Sequence, residues 1–240
     1  MRWSAAEAAE IVEAARNAPV HSAAKPWVLE LHGRSVYLYE VPQRPKGIFS
    51  GHDPLGLDRL LSCGAALEHI VLAIRVAGWH AKVVFPHDHA NPDLLAVVRA
   101  DVRERPTPAE LDCHRAIRSP DATGGGDARR LVVANRWAGT ELHPLDADTL
   151  VVLTVDDRRS DHVRGGAALQ AALLAGRSAG VAVRPVIHLM HRAEWRAGLI
   201  ERHDLAGFPQ ALVSVGAKDL AEKVPTAAGP TTASADEARS

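Results

Sequence analysis

A chain of 240 residues with 47% hydrophobic content is long enough for one large domain or two small ones, with a substantial core. Its 28 Lys and Arg nearly balance 29 Asp and Glu, and a net charge of −1 offers neither a basic face for nucleic acid nor an electrostatic pull toward a membrane. The two cysteines, Cys63 and Cys113, make no disulfide framework, and no signal peptide or membrane-spanning run is legible, so a cytoplasmic location and small-molecule or protein partners are expected.

Ser4-Ala5-Ala6-Glu7 is a capping box, opening a helix that ends near Asn17, ahead of Pro19. A proline-held loop from Ala18 to Trp27 leads to a strand, Val28 to Leu31, and Gly33 turns a hairpin into Ser35 to Val41. Pro42 to Pro54 is polar and rich in Gly and Pro, which reads as a surface loop. A helix then starts at Asp58 or a neighbour and runs to Gly78. It is apolar nearly all round, with Leu61, Ala65, Leu72 and Val76 on one side and Leu67, Ile70, Val71 and Ile74 on others, the mark of a helix buried at a domain centre. Strands are expected at Ala81 to Pro86 and from Leu94 to Arg103, with a loop between them. Thr107 as cap and Pro108 at the first position begin a short helix that stops at Ser119-Pro120.

Asp121 to Asp127, with three consecutive glycines, reads as a flexible joint. Ala128 to Gly139 is compatible with a short helix or a strand. Beyond it come a strand from Leu150 to Val155, a second alanine-rich helix ending at Gly180, a strand from Ala182 to Ile187 and a helix from Ala193 to Ile200. Pro209-Gln210 leads into a last strand, Ala211 to Val215. From about Lys218 the composition turns to Ala, Thr, Ser, Pro and Glu, that of a disordered tail.

The two apolar helices are alike. Gly64-Ala65-Ala66-Leu67 recurs as Gly166-Ala167-Ala168-Leu169, and Arg75 and Gly78 recur as Arg177 and Gly180, all 102 positions on. Two copies are too few for a solenoid, which needs at least ~3 stacked units. A paired, dimer-like architecture is expected instead: a first half over residues 1–120, the joint at 121–127, a second half over 128–217, intertwined in one domain, and a tail over 218–240. The matched positions of Arg75 and Arg177 predict a structural role, such as pairing with Glu68 or a carbonyl.

His87 and His89, with Asp88 and Asp93, sit in a Pro-bounded loop without a third ligand at familiar spacing, so no metal is expected there. Cys63 lies within the apolar helix with no identifiable base and reads as core. The triple glycine lacks the Lys-Ser or Lys-Thr of a phosphate loop.

Taken together, Ala18-Pro19 to Pro26-Trp27, Asp53-Pro54-Leu55-Gly56, Ser62-Cys63-Gly64-Ala65-Ala66-Leu67, Gly165-Gly166-Ala167-Ala168-Leu169-Gln170 and Pro209-Gln210, in this order over about residues 7 to 218, resemble the nitroreductase family and its Acg-type branch. In that branch one chain holds two nitroreductase-like halves. The resemblance implies an α+β fold with a mixed, mainly antiparallel sheet and buried central helices. It also implies FMN bound between the halves and used to reduce nitro or quinone-type acceptors from NAD(P)H, in a pseudo-dimeric monomer or a homodimer. It assigns cofactor contacts to Ser22, Lys25, Arg118, Ser119 and Gln210, with no side chain acting as catalytic acid or base.

The departures from the branch are specific. Val20, Ala23 and Lys25 stand where the branch has serine, asparagine and glutamine, and Ala116-Ile117-Arg118-Ser119-Pro120-Asp121 keeps one arginine of an arginine-rich stretch. Ser214 replaces an arginine after Pro-Gln. Lys25 reads either as a charge for the phosphate or flavin edge or as a solvated loop lysine, Arg118 as a phosphate ligand or a surface arginine, and Gln210 as a flavin contact or strand entry. The alternative function is therefore a non-catalytic, degenerate nitroreductase-fold protein that sequesters flavin or binds a protein partner.

Overall fold

The computed structural model describes residues 2–21, 24–41, 56–86, 90–119, 131, 133 and 135–216. The expected loop at Pro42 to Pro54, the loop histidines His87 and His89, the glycine joint and the tail beyond residue 217 lie outside them. Among the described residues the fold is α+β, with five α-helices and two four-stranded antiparallel sheets.

Helix α1 (Ala5–Arg16) has the expected capping box: the Glu7 N–H donates to Ser4 Oγ (3.2 Å), and the Ser4 N–H donates to Glu7 Oε2 (2.8 Å). This satisfies two of the backbone donors that a helix start leaves free. Strands β1 (Trp27–His32) and β2 (Ser35–Glu40) form the Gly33 hairpin. Helix α2 (Leu57–Val76) follows, then β3 (Lys82–Val84) and β4 (Leu94–Arg99). Helix α3 (Pro108–Ala116) repeats the opening of α1, with Thr107 and Glu110 capping each other at distances of 3.2 and 2.8 Å.

The second half runs through β5 (Thr140–Pro144), β6 (Thr149–Thr154), α4 (Arg159–Ala179) and β7 (Val183–Val186). A 3-10 turn (His188–His191), α5 (Ala193–His203) and β8 (Phe208–Val215) complete it. The strand orders are β1-β2-β4-β3 and β5-β6-β8-β7, so both sheets follow one pattern. Each also has a register shift at a matching place, between Leu38 and Tyr39 in β2 and between Val152 and Leu153 in β6.

Three expectations need correction. Among the described residues the single mixed sheet is instead two separate sheets without a parallel pair, because each central helix joins two antiparallel strand pairs that belong to one sheet. Strand β5 was not foreseen; Thr140–Pro144 carries only Leu142 as a large apolar residue and closes on β6 through the Asp146 turn, where the Asp148 N–H donates to Asp146 Oδ1 (2.8 Å). Pro209 and Gln210 lie inside β8 rather than before it. Pro209 pairs with Leu153 and Ala211 with Val152, so the missing proline N–H falls at the bulge, where a ladder hydrogen bond is not required.

The core centres on α2 and α4, which cross at their shared glycine. A Cβ on Gly64 would stand 2.2 Å from the Val163 carbonyl oxygen, and one on Gly166 would stand 2.2 Å from the Leu61 carbonyl oxygen. Leu61 and Val163 are themselves 102 positions apart. The contact is thus reciprocal, as at a twofold axis between subunits. Around it Leu67, Ile70, Leu72, Ile74 and Leu174 are fully buried, each contributing roughly 1.5–3 kcal/mol.

Candidate functional site

Two cavities flank this helix crossing, at corresponding places. The larger, about 710 Å³, is lined from the first half by Glu68, Val71, Arg75, Ala81, Val83, Phe85 and residues of α3, and from the second by Asn135, Arg136, Trp137, Arg164, Ala171 and Ala175. The smaller, about 160 Å³, is lined by Pro19, His21, Gln170, Leu173, Arg177, Val181, Val183 and Pro185. Five pairs of lining residues correspond at the 102-residue offset: Glu68 with Gln170, Val71 with Leu173, Arg75 with Arg177, Ala81 with Val183 and Val83 with Pro185. Only the larger cavity falls within the roughly 300–1,000 Å³ typical of cofactor and substrate sites.

Glu68 is one of the residues lining the large cavity. Its side chain is 1% exposed; Oε2 accepts the Trp137 indole N–H at 2.8 Å, and Oε1 stands 3.7 Å from Arg136 Nε. Burial pushes its carboxyl up to about 7, against the pull of Arg136 and Trp137 and with Glu110 adding to the rise. About two turns further along α2 lies Arg75, whose Nε donates to Glu110 Oε1 (2.9 Å) and whose Nη1 lies 2.6 Å from Glu104 Oε2. Arg75 also donates to the Trp79 and Arg105 carbonyls, which gives it the structural role expected, with Glu104 and Glu110 in place of Glu68. Arg136 Nη1 donates to Glu110 Oε1 (3.3 Å). Arg164 donates to Asp161 (2.7 Å) and lies over the Phe85 ring. Every arginine lining the cavity therefore has a carboxylate partner. The lining also holds the apolar Val71, Val83, Phe85, Ala171, Ala175 and the Trp137 indole, beside the polar His80, Thr107 and Asn135.

At the small cavity, Gln170 takes the place of Glu68. Its amide Nε2 is 2.8 Å from His69 Nε2, and His69 Nδ1 is 2.8 Å from the Ala14 carbonyl. A carbonyl only accepts, so Nδ1 carries the proton and Nε2 accepts from the amide. Burial pushes the His69 ring down to about 4, the Ala14 bond opposing, which keeps it neutral. The same geometry leaves Gln170 Oε1 without a hydrogen-bond partner among the described residues. Arg177 donates to the Ala116 carbonyl at 3.0 Å.

The residues singled out from the sequence are not gathered at either cavity. Lys25 Nζ donates to the Arg16 carbonyl (2.5 Å). Arg118 makes a two-pronged pair with Glu10, both oxygens at 2.9 Å, and Ser119 Oγ donates to the Arg115 carbonyl (3.2 Å). Gln210 is fully buried, its amide donating to Thr154 Oγ1 (2.8 Å) and Asp157 (3.2 Å) and its oxygen 2.8 Å from His162 Nδ1. Ser22 lies outside the described residues. Pro19 and His21 do line the small cavity, and the helix preceding Arg118 meets Arg177 there.

Sequence reasoning missed Glu68, Arg136 and Trp137 as a cluster. The available signal was a carboxylate in the middle of Ala65-Ala66-Leu67-Glu68-His69-Ile70-Val71-Leu72, because Glu is rarely buried without a reason. Cys63 is buried and its thiol is pushed up by burial, in line with a core role. Among the described residues there is no group of three or more His, Cys, Asp or Glu arranged to hold a metal, and no helix long and apolar enough to cross a membrane. No protein-family model and no curated protein matches the chain.

Proposed function

We propose that the chain is a nitroreductase-like flavoprotein whose halves are two copies of one unit, with FMN in the large cavity between them, and that it reduces nitro or quinone-type acceptors from NAD(P)H in the cytoplasm. The observation that carries this reading is a cofactor-sized cavity walled by both halves beside a reciprocal helix crossing. The shared strand order supports the duplication.

The residues fit the flavin ring better than the phosphate. Apolar walls and an indole suit a flat conjugated ring. Arg164 is the candidate to hold a phosphate, and it would have to share its charge with Asp161. Bound there, FMN would supply the hydride chemistry, and the protein would supply orientation, apolar enclosure and local charge.

That same pairing favours a second reading, a protein that binds or sequesters flavin without turnover. The deciding experiment is an FMN titration of the desalted chain, followed by absorbance and melting temperature, then NADH and NADPH oxidation with a nitroaromatic and a quinone. Micromolar binding with turnover supports the enzyme; binding without turnover supports sequestration. No binding removes both.

A further inference from the structure

We propose that Glu68 and Arg136 together read the imide edge of a ring, the carboxylate accepting from a ring N–H and the guanidinium donating to the carbonyl beside it. This rests on the large cavity being a ligand site and deepens the flavin reading, since a flavin ring presents such an edge at N3.

The argument is one of open valences. A carboxylate has about four acceptor positions, and Glu68 fills one with the short Trp137 bond, Arg136 being 3.7 Å away and beyond hydrogen-bond reach. A guanidinium has five donors, and Arg136 directs one at Glu110 over 3.3 Å. Both side chains line the cavity, together with the apolar Val71, Val83, Phe85 and Ala171. With Glu68 ionised, the pair is neutral as a unit, and an uncharged edge that alternates acceptor, donor, acceptor suits it better than an anion does.

The charged and titratable groups around Glu68 set the pH response. Arg136 faces it from the segment before β5, and Glu110 and Cys113 from α3. Arg75 on its own helix is held by Glu104 and Glu110, His80 lies 2.7 Å from Glu104, and Arg164 on α4 is held by Asp161. A ring N–H favours the ionised carboxylate. Affinity should therefore fall as pH drops through the Glu68 titration near 7.

The test uses the intact chain and four probes without phosphate: lumiflavin, 3-methyllumiflavin, uridine and 3-methyluridine. Lumiflavin should bind at least tenfold more tightly than its N3-methyl form at about pH 8, and lose affinity toward about pH 6. Glu68→Gln, which keeps an acceptor, should bind lumiflavin without that pH dependence. Equal binding of each ring and its N3-methyl form overturns the proposal, as does failure of both pairs to bind. Uridine bound with discrimination while lumiflavin is not would uphold the edge reading and remove the flavin one.

Discussion

The two cavities beside the α2–α4 crossing have matching walls and very different sizes, and one pair of positions next to them differs sharply in bulk. His69 reaches across from α2 to Gln170 at the small cavity. Its counterpart 102 positions on is Ala171, which lines the large one. An imidazole occupies space on one side where a methyl group leaves it on the other. The residues before them differ as well: Glu68, before the histidine, lines the large cavity, and Gln170, before the alanine, lines the small one. A helix crossing this tight fixes where cavities arise, and the side chains one turn away decide which becomes a site.

The largest expected effect removes the frame that both cavities share. Gly64→Val and Gly166→Val each drive a side chain into a backbone 2.2 Å away. Each should destabilise the fold by about 3 kcal/mol or more in denaturant unfolding, and by similar amounts, since the contact is reciprocal. A tolerated substitution at one site alone would break the equivalence.

Next comes the carboxyl itself. A folded pKa of about 7 against an ordinary 4.5 means that the folded state resists ionising Glu68. Its stabilising contribution is complete below about 4.5 and is lost as pH rises through about 7, at most about 3 kcal/mol over that window. His69, depressed to about 4 from 6.5, acts in the opposite sense: its contribution is present above 6.5 and lost as pH falls toward 4. Glu68→Gln, which copies Gln170, should abolish the alkaline loss and leave the acid one, as read by unfolding at about pH 5 and pH 8.

Ala171→His puts an imidazole into the wall of the large cavity. Flavin affinity should drop at least tenfold, roughly 1.4 kcal/mol, with the chain still folded by circular dichroism. Unchanged affinity would place the ligand elsewhere. The smallest effect is expected from Arg118→Ala. Its side chain is 55% exposed and its partner is Glu10, so stability should change by less than ~1 kcal/mol and flavin affinity hardly at all. A tenfold loss of affinity would instead return Arg118 to the site.

What could be read in advance follows from how local each signal is. The capping boxes at Ser4 and Thr107 and the all-round apolar pattern of α2 are written in consecutive residues, and the helices they mark start within a residue of the expected place, although α3 ends at Ala116, ahead of the expected stop at Ser119. Strand β5 was missed because Thr-Glu-Leu-His-Pro is half-exposed and earns its place only through pairing with β6. The cavity cluster was missed for a related reason. Glu68, Glu110 and Arg136 belong to three separate segments, and only the packing of α2, α3 and the stretch before β5 makes them neighbours. Residues 131, 133 and 135–139, left open between helix and strand, form neither, and from this irregular backbone Arg136 and Trp137 reach the cavity.

The reciprocal contact of Gly64 and Gly166 has a genetic consequence. In a dimer of identical subunits one codon writes both sides of such a crossing, so any change appears twice and must suit both sites. Here each side has its own codon. Histidine could settle at 69 and alanine at 171 independently, giving one chain a closed side and an open side that a symmetric pair cannot encode.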